Sequence, residues 1–271
     1  QLEYSKIFKA NISAILNISS DHLERHKTLK NYIRSKFKLV KNQTKKDYAL
    51  LNANNFYINQ ELKYKKFLPK IIKVKKKINY STLKKINNKY FMSEGNKENL
   101  SFILQIIKIF KIKKDDLFKI LHNFKGLKYR QQIIFRSKKL MIINDSKSTS
   151  FSSSESILKS LSNVYWIVGG LAKKGDKFLL NKNNCKNIKA YIFGKNKSFF
   201  IKELRKNLSY ESFLDLKSLI KKIFADIRRN KSRDFHTILF SPAAASFDSF
   251  KNFEERGRYF NNIIRELKDV E

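Results

Sequence analysis

Thr237-Ile238-Leu239-Phe240-Ser241-Pro242-Ala243-Ala244-Ala245-Ser246-Phe247-Asp248-Ser249-Phe250-Lys251-Asn252-Phe253-Glu254-Glu255-Arg256-Gly257 is the stretch that decides how this chain is read. It opens as a short apolar run, a buried-strand candidate, and it closes as an amphipathic helix predicted from Phe250 to Leu267. The small residues from Ala243 to Ser246 let the backbone turn sharply at the end of the strand. In open α/β sheets that end is where ligands sit. Hydroxyl, aromatic and basic groups crowd into this one turn, so it reads either as an anion-seeking pocket or as a well-capped helix start.

Outward from this stretch the same alternation recurs. Leu140 to Ile143 reads as a strand and Ser153 to Leu161 as a helix. Val164 to Val168 is a strand ending at Gly169-Gly170, and Ala190 to Phe193 is a strand ending at Gly194. Phe199 to Leu204 and Leu216 to Ile227 read as helices. Alternating units of this size predict an α/β fold with a mainly parallel, doubly wound sheet. Gly126-Leu127-Lys128-Tyr129-Arg130 reads as a connector, which divides the chain into domains over 1–125 and 126–271. In the first domain, Ala14 to Ile18 and Tyr48 to Leu51 are strand candidates. Thr28 to Val40 has helical spacing, with Leu29, Tyr32, Ile33, Phe37 and Val40 on one side. Residues 55–92 are lysine-rich and predict edge strands and loops, and Asn99 to Phe110 and Asp115 to Phe124 predict apolar helices.

Composition narrows the class. The 271 residues are 42% hydrophobic, enough for two packed domains. Lys and Arg number 59 against 23 Asp and Glu, a net charge of +36. Such charge fits a nucleic-acid or anionic-membrane partner. Here the lysines are spread through every segment, and no zinc ligands or tight basic cluster with interleaved aromatics occurs. Abundant Lys, Asn and Ile with scarce Gly and Pro fit the codon bias of an AT-rich genome, so no specific nucleic-acid partner is expected. The field can still attract phosphorylated substrates. The one cysteine, Cys185, excludes an intramolecular disulfide and suggests a reducing compartment. No run is long enough to span a bilayer, so no membrane insertion is expected.

The opening stretch resembles the SPACASxDQFKNFxxRG signature of the Mur ligase family, specifically of its D-glutamate-adding members. Further motifs agree. Asn17-Ile18-Ser19-Ser20-Asp21-His22 resembles the family's NVTEDH, and Tyr32-Ile33-Arg34-Ser35-Lys36 its YxxxK. Asn96-Lys97-Glu98-Asn99 resembles HNxxN with Gly95 in place of the histidine, and the other reading of Asn96 is a helix cap. Gly126 to Arg130 resembles GLxHRxE, with Tyr129 for histidine and Gln132 for glutamate. Asn144-Asp145-Ser146-Lys147-Ser148-Thr149 resembles INDSKATN, with Ser150 for the last asparagine. Gly169-Gly170-Leu171-Ala172-Lys173-Lys174-Gly175-Asp176 resembles GGxxKGxDF.

The resemblance implies roles. His22 and Lys36 would be catalytic Mg²⁺ ligands, with Lys36 carbamylated; a carbamate is an oxygen ligand suited to a hard cation. Asn99, Arg130, Asp145 and Lys147 would contact ATP. Thr149, Lys173, Ser246 and Phe253 would hold D-glutamate, with Lys174 the alternative to Lys173. The implied fold is part of a Mur-ligase central domain followed by a Rossmann-like C-terminal domain. The implied activity is ATP-dependent ligation of D-glutamate to UDP-N-acetylmuramoyl-L-alanine through an acyl phosphate, in peptidoglycan precursor synthesis in the bacterial cytoplasm. The complete enzyme is expected to be a monomer.

No Gly-x-x-Gly-Lys-Ser/Thr loop, the usual cradle for ATP phosphates, occurs in the 271 residues. The chain therefore reads as a C-terminal fragment of such a ligase. It is expected to be inactive alone, with residues 1–125 poorly stable by themselves. Two alternatives remain at this stage, a basic nucleic-acid-binding protein and a related ATP-dependent amide ligase.

Overall fold

Residues 141–143, 164–168, 188–193 and 238–240 send alternate side chains to opposite faces of one sheet, and that sheet organises the second half of the protein. The computed structural model describes residues 2–5, 7–19, 23–230 and 234–268. Contacts divide the chain into two units, Gln1–Phe124 and Lys125–Glu271.

The first unit contains β1 (Ile12–Ile15), α1 (Leu23–His26), α2 (Leu29–Lys41), β2 (Tyr48–Asn52), α3 (Phe56–Tyr64), β3 (Lys70–Val74), α4 (Tyr80–Ile86), α5 (Glu94–Ile109) and α6 (Lys114–His122). Its strands form a parallel sheet in the order β1-β2-β3. Helix α2 starts where Thr28 accepts a hydrogen bond from Asn31 N, and it buries Tyr32, Ile33, Phe37 and Val40 against Ile15, Ala49 and Leu51. Phe102 of α5 covers the other face at Leu50 and Val74.

Three sequence expectations are corrected here. Residues 55–92 are largely helical, holding α3, α4 and a short 3₁₀ turn at Lys89–Met92 around the single strand β3. Asn55 caps α3 by accepting from Ile58 N, and Ile58 is buried; a lysine-rich surface masked this pattern. Helix α5 begins at Glu94 under a Ser93 cap, so Asn96 lies inside the helix and is not its cap. Its side chain is buried and donates to Tyr90 O instead. The first strand ends at Ile15, earlier than its apolar run suggests.

The second unit contains β4 (Gln132–Arg136), β5 (Leu140–Asn144), α7 (Phe151–Leu158), β6 (Val164–Gly169), β7 (Ile188–Phe193), α8 (Lys197–Leu204), β8 (Ser209–Ser212), α9 (Leu216–Arg229), β9 (His236–Phe240) and α10 (Phe253–Lys268). The strand order is β4-β5-β9-β6-β7-β8, parallel except for β4 against β5. Helices α7 and α8 pack one face, around Trp166, Phe200 and Leu239. Helices α9 and α10 pack the other, around Tyr191, Phe240 and Phe260. The chain leaving β5 feeds a helix on one face and the chain leaving the adjacent β9 feeds a helix on the other. In open α/β sheets such a reversal, at the C-terminal ends of the strands, is where ligands sit.

Candidate active site

The candidate site of the second unit is built on a buried polar network. Where β5 and β9 end side by side, Asp145 N donates to Phe240 O at 2.7 Å. The Asp145 carboxylate, 6% exposed, accepts from Ser241 Oγ at 2.9 Å and from Gln131 N at 3.0 Å. Ser241 Oγ lies 2.8 Å from Ser154 Oγ, which lies 2.7 Å from Ser148 Oγ, and Trp166 Nε1 donates to Ser241 O at 2.8 Å. Burial raises the Asp145 pKa from 3.8 to about 7, opposed by the Ser241 and Gln131 donors and by the charges of Arg130 and Arg256.

Arg256, in the first turns of α10, ties the loops after β5 and β9 together. It is fully buried. Its Nε donates to Ser146 Oγ at 3.1 Å, Nη2 to Ser146 O at 2.8 Å and Ala244 O at 2.9 Å, and Nη1 to Ala245 O at 3.2 Å. Burial pulls its pKa down to about 10, and Asp248 and Asp145 counter the fall. Asn144 adds bonds to Gly257 O at 2.8 Å and Asn261 Oδ1 at 2.7 Å, and Ser146 Oγ donates to Phe253 O at 2.8 Å. A Cβ at Gly257 would stand 2.4 Å from Tyr129 Cδ1, so this glycine lets the connector pack onto α10. Ser241, Arg256 and Gly257 stand in the opening stretch of sequence, and Trp166 in the Val164–Val168 strand, without a local pattern that gives them a role. The one cue, at Arg256, is a charged residue followed by glycine inside an otherwise amphipathic helix.

The residues expected to bind ligand lie on this frame. Lys147 Nζ sits 4.0 Å from the centre of the Phe253 ring. Its pKa is lowered by burial, then by the nearby charges of Arg130 and Lys173, while Glu254 works the other way. The charges of Arg130, Lys173 and Glu254 thus act on Lys147, which lies against Phe253. Thr149 and Lys173 are half-buried, Lys174 and Arg130 are exposed, and Ser246 is 3% exposed. Asp176, on the Lys173 loop, accepts from Phe151 N at 2.8 Å and so anchors that loop to the start of α7.

In the first unit, Lys36 Nζ donates to Asn17 O at 3.0 Å beyond the end of β1 and lies 4.9 Å from the centre of the Tyr32 ring. Asn99 is exposed on α5. Beside it Glu98 accepts from Asn52 Nδ2, which also donates to Leu16 O at 2.7 Å. His22 falls outside the described residues. Among the described residues no group of three or more His, Cys, Asp or Glu side chains is placed to hold a metal, and Lys36 as an amine is a donor. No described helix is long and apolar enough to cross a membrane.

A chain divided into two α/β units, the second built on a mainly parallel, doubly wound sheet, belongs to a class that the comparisons identify. Residues 1–120 match the Mur ligase middle domain. The MurF ligase of Thermotoga maritima, solved in complex with ADP, shares the fold at 14% identity with a TM-score of 0.62 over 95% of this chain and 63% of that one. MurF from Acinetobacter baumannii does so at 13% identity with a TM-score of 0.65, over 96% and 60%. Residues 1–120 thus carry a match to the Mur ligase middle domain, and the chain as a whole is similar to Mur ligases.

Among curated relatives it is similar to the UDP-N-acetylmuramoylalanine--D-glutamate ligases. That of Rickettsia bellii is 28% identical over 287 residues, covering 98% of this chain and 64% of the relative. That of Francisella philomiragia subsp. philomiragia is 30% identical over 272 residues, covering 99% and 63%. That of Wolbachia sp. subsp. Brugia malayi is 30% identical over 280 residues, covering 97% and 55%. The chain thus spans somewhat more than half the length of these relatives.

Proposed function

We propose that this chain carries the D-glutamate pocket and part of the ATP site of an enzyme that ligates D-glutamate to UDP-N-acetylmuramoyl-L-alanine in the bacterial cytoplasm. The observation that carries the reading is that Lys147 lies against Phe253 and feels the charges of Arg130 and Lys173, in the unit whose β9–α10 loop bears the buried Ser246. A substrate with two carboxylates suits lysines and hydroxyl donors. In this reading the second unit binds the amino acid and the first contributes to the nucleotide site.

The reaction has two steps. A carboxylate oxygen of the muramoyl peptide attacks the terminal phosphorus of ATP, giving an acyl phosphate and ADP. The amine of D-glutamate then attacks the acyl carbon, and phosphate leaves as the amide forms. Arg130 and Lys147 offset the negative charge gathered on the transferred phosphoryl group. Thr149, Lys173 and Ser246 orient the two carboxylates of D-glutamate so that its amine faces the acyl carbon. Asn99 reaches the nucleotide base. Lys36 would offer Mg²⁺ an oxygen only as a carbamate, so mass spectrometry in bicarbonate buffer should find a carbon dioxide adduct on it.

Calorimetric titration of the chain with D-glutamate tests the reading. Binding is expected with the D-isomer favoured over the L-isomer, and Lys173→Ala should weaken it about tenfold or more, the loss of one charge-assisted contact. Equal affinity in wild type and Lys173→Ala would refute the assignment.

A further inference from the structure

We propose that Asp248 is the anionic member of the amino-acid pocket, receiving the ammonium group of the incoming amino acid and setting the preference for an amino diacid over a plain diacid. The assignment rests on the D-glutamate reading above. Asp248 stands two residues beyond Ser246, between β9 and α10. Its Oδ2 is buried and has no hydrogen-bond partner among the described residues. A Cβ at Gly194 would lie 3.3 Å from this oxygen and 3.2 Å from Gly170 N, so the carboxylate sits over the glycine ends of β6 and β7. Gly170 opens the loop that carries Lys173.

A buried carboxylate oxygen without a donor costs stability, and a cationic ligand group removes that cost. Arg256 does not serve as the donor. Its hydrogen bonds go to Ser146, Ala244 and Ala245, and Asp248 acts on it through the field alone. Glu254, another acid of this unit, works on Lys147. A substrate with two carboxylates and one ammonium would find a cation in Lys173, on the loop that Gly170 opens, and an unsatisfied anion in Asp248. The match also accounts for an acidic residue in a pocket otherwise built to attract anions.

The test titrates the full chain with D-glutamate and with glutarate, the same diacid without the amine, following backbone amide shifts by NMR. Wild type should favour D-glutamate by about tenfold or more, the worth of one charge-assisted hydrogen bond. Asp248→Asn should lose that preference while glutarate binds as before, and Asp248→Glu should recover part of it. An unchanged preference in Asp248→Asn overturns the proposal. Equal weakening of both ligands also overturns it, because that outcome marks a residue that only holds the loop. Wild type that binds neither compound overturns the D-glutamate reading and this assignment with it.

Discussion

The two units bury their polar groups differently. In the second, Asp145, Arg256, Ser146, Ser148, Ser154 and Ser241 are all inside and all bonded to one another or to loop backbone. In the first, the buried Ser13, Gln43 and Asn52 bond locally, the residues proposed to bind ligand stand nearer the surface, with Asn99 exposed and Lys36 half-buried, and the apolar core is split among three small clusters. A site made of buried bonded groups is fixed by the fold of its own unit. A site made of surface groups depends on what is brought to it. The second unit therefore holds a preorganised polar network behind its proposed ligand-binding residues, and the first holds shorter, local polar contacts.

The contrast breaks first at Arg256. Arg256→Met should destabilise the second unit by about 4 kcal/mol, because three carbonyls and a hydroxyl lose their donor inside the protein. Trp166 is the only tryptophan and lies in that core, so its emission during urea unfolding reads the loss directly. The matched change Lys36→Met should cost no more than about 1 kcal/mol by circular dichroism. Similar losses at the two positions would erase the distinction.

A second, smaller effect concerns pH. Asp145 has a pKa of about 7 in the fold against an ordinary 3.8, so between these values the folded state holds more protons than the unfolded chain. Stability of the second unit should then fall as pH rises from about 4 to about 7, by a few kcal/mol at most. Asp145→Asn should flatten that slope in Trp166-monitored unfolding. A slope of the same size in the variant would assign it to other groups.

The smallest test lies in the first unit. Thr28 caps α2, and Thr28→Ala should cost about 1 kcal/mol in far-ultraviolet dichroism melts. A loss several times larger would show that this unit depends on local caps as strongly as the other does on its buried network.

Much of this was legible in the residues. The runs Val164–Val168 and Thr237–Phe240 read as strands of a parallel sheet, and the strands observed there, Val164–Gly169 and His236–Phe240, are buried along their whole length. The edge strands Gln132–Arg136 and Ser209–Ser212 escaped notice because they are half-exposed and carry polar residues. Lys147 and Lys173 stood out through their motifs. Arg256 did not, since an arginine in a helix reads as a surface group until its partner Ser146, 110 positions earlier in the chain, is folded against it. Long-range pairing of that kind leaves no local periodicity to detect.

Strand β9 lies between β5 and β6 although it comes after all the other described strands in chain order. On the ribosome, β5 and β6 emerge long before the piece that separates them, and they pair with each other in the finished sheet only through it. The nascent second unit must therefore wait with an open slot of strand edges until residues 236–240 clear the exit tunnel. A chain stopped before them is expected to behave as a client for chaperones or proteases and not as a smaller folded protein.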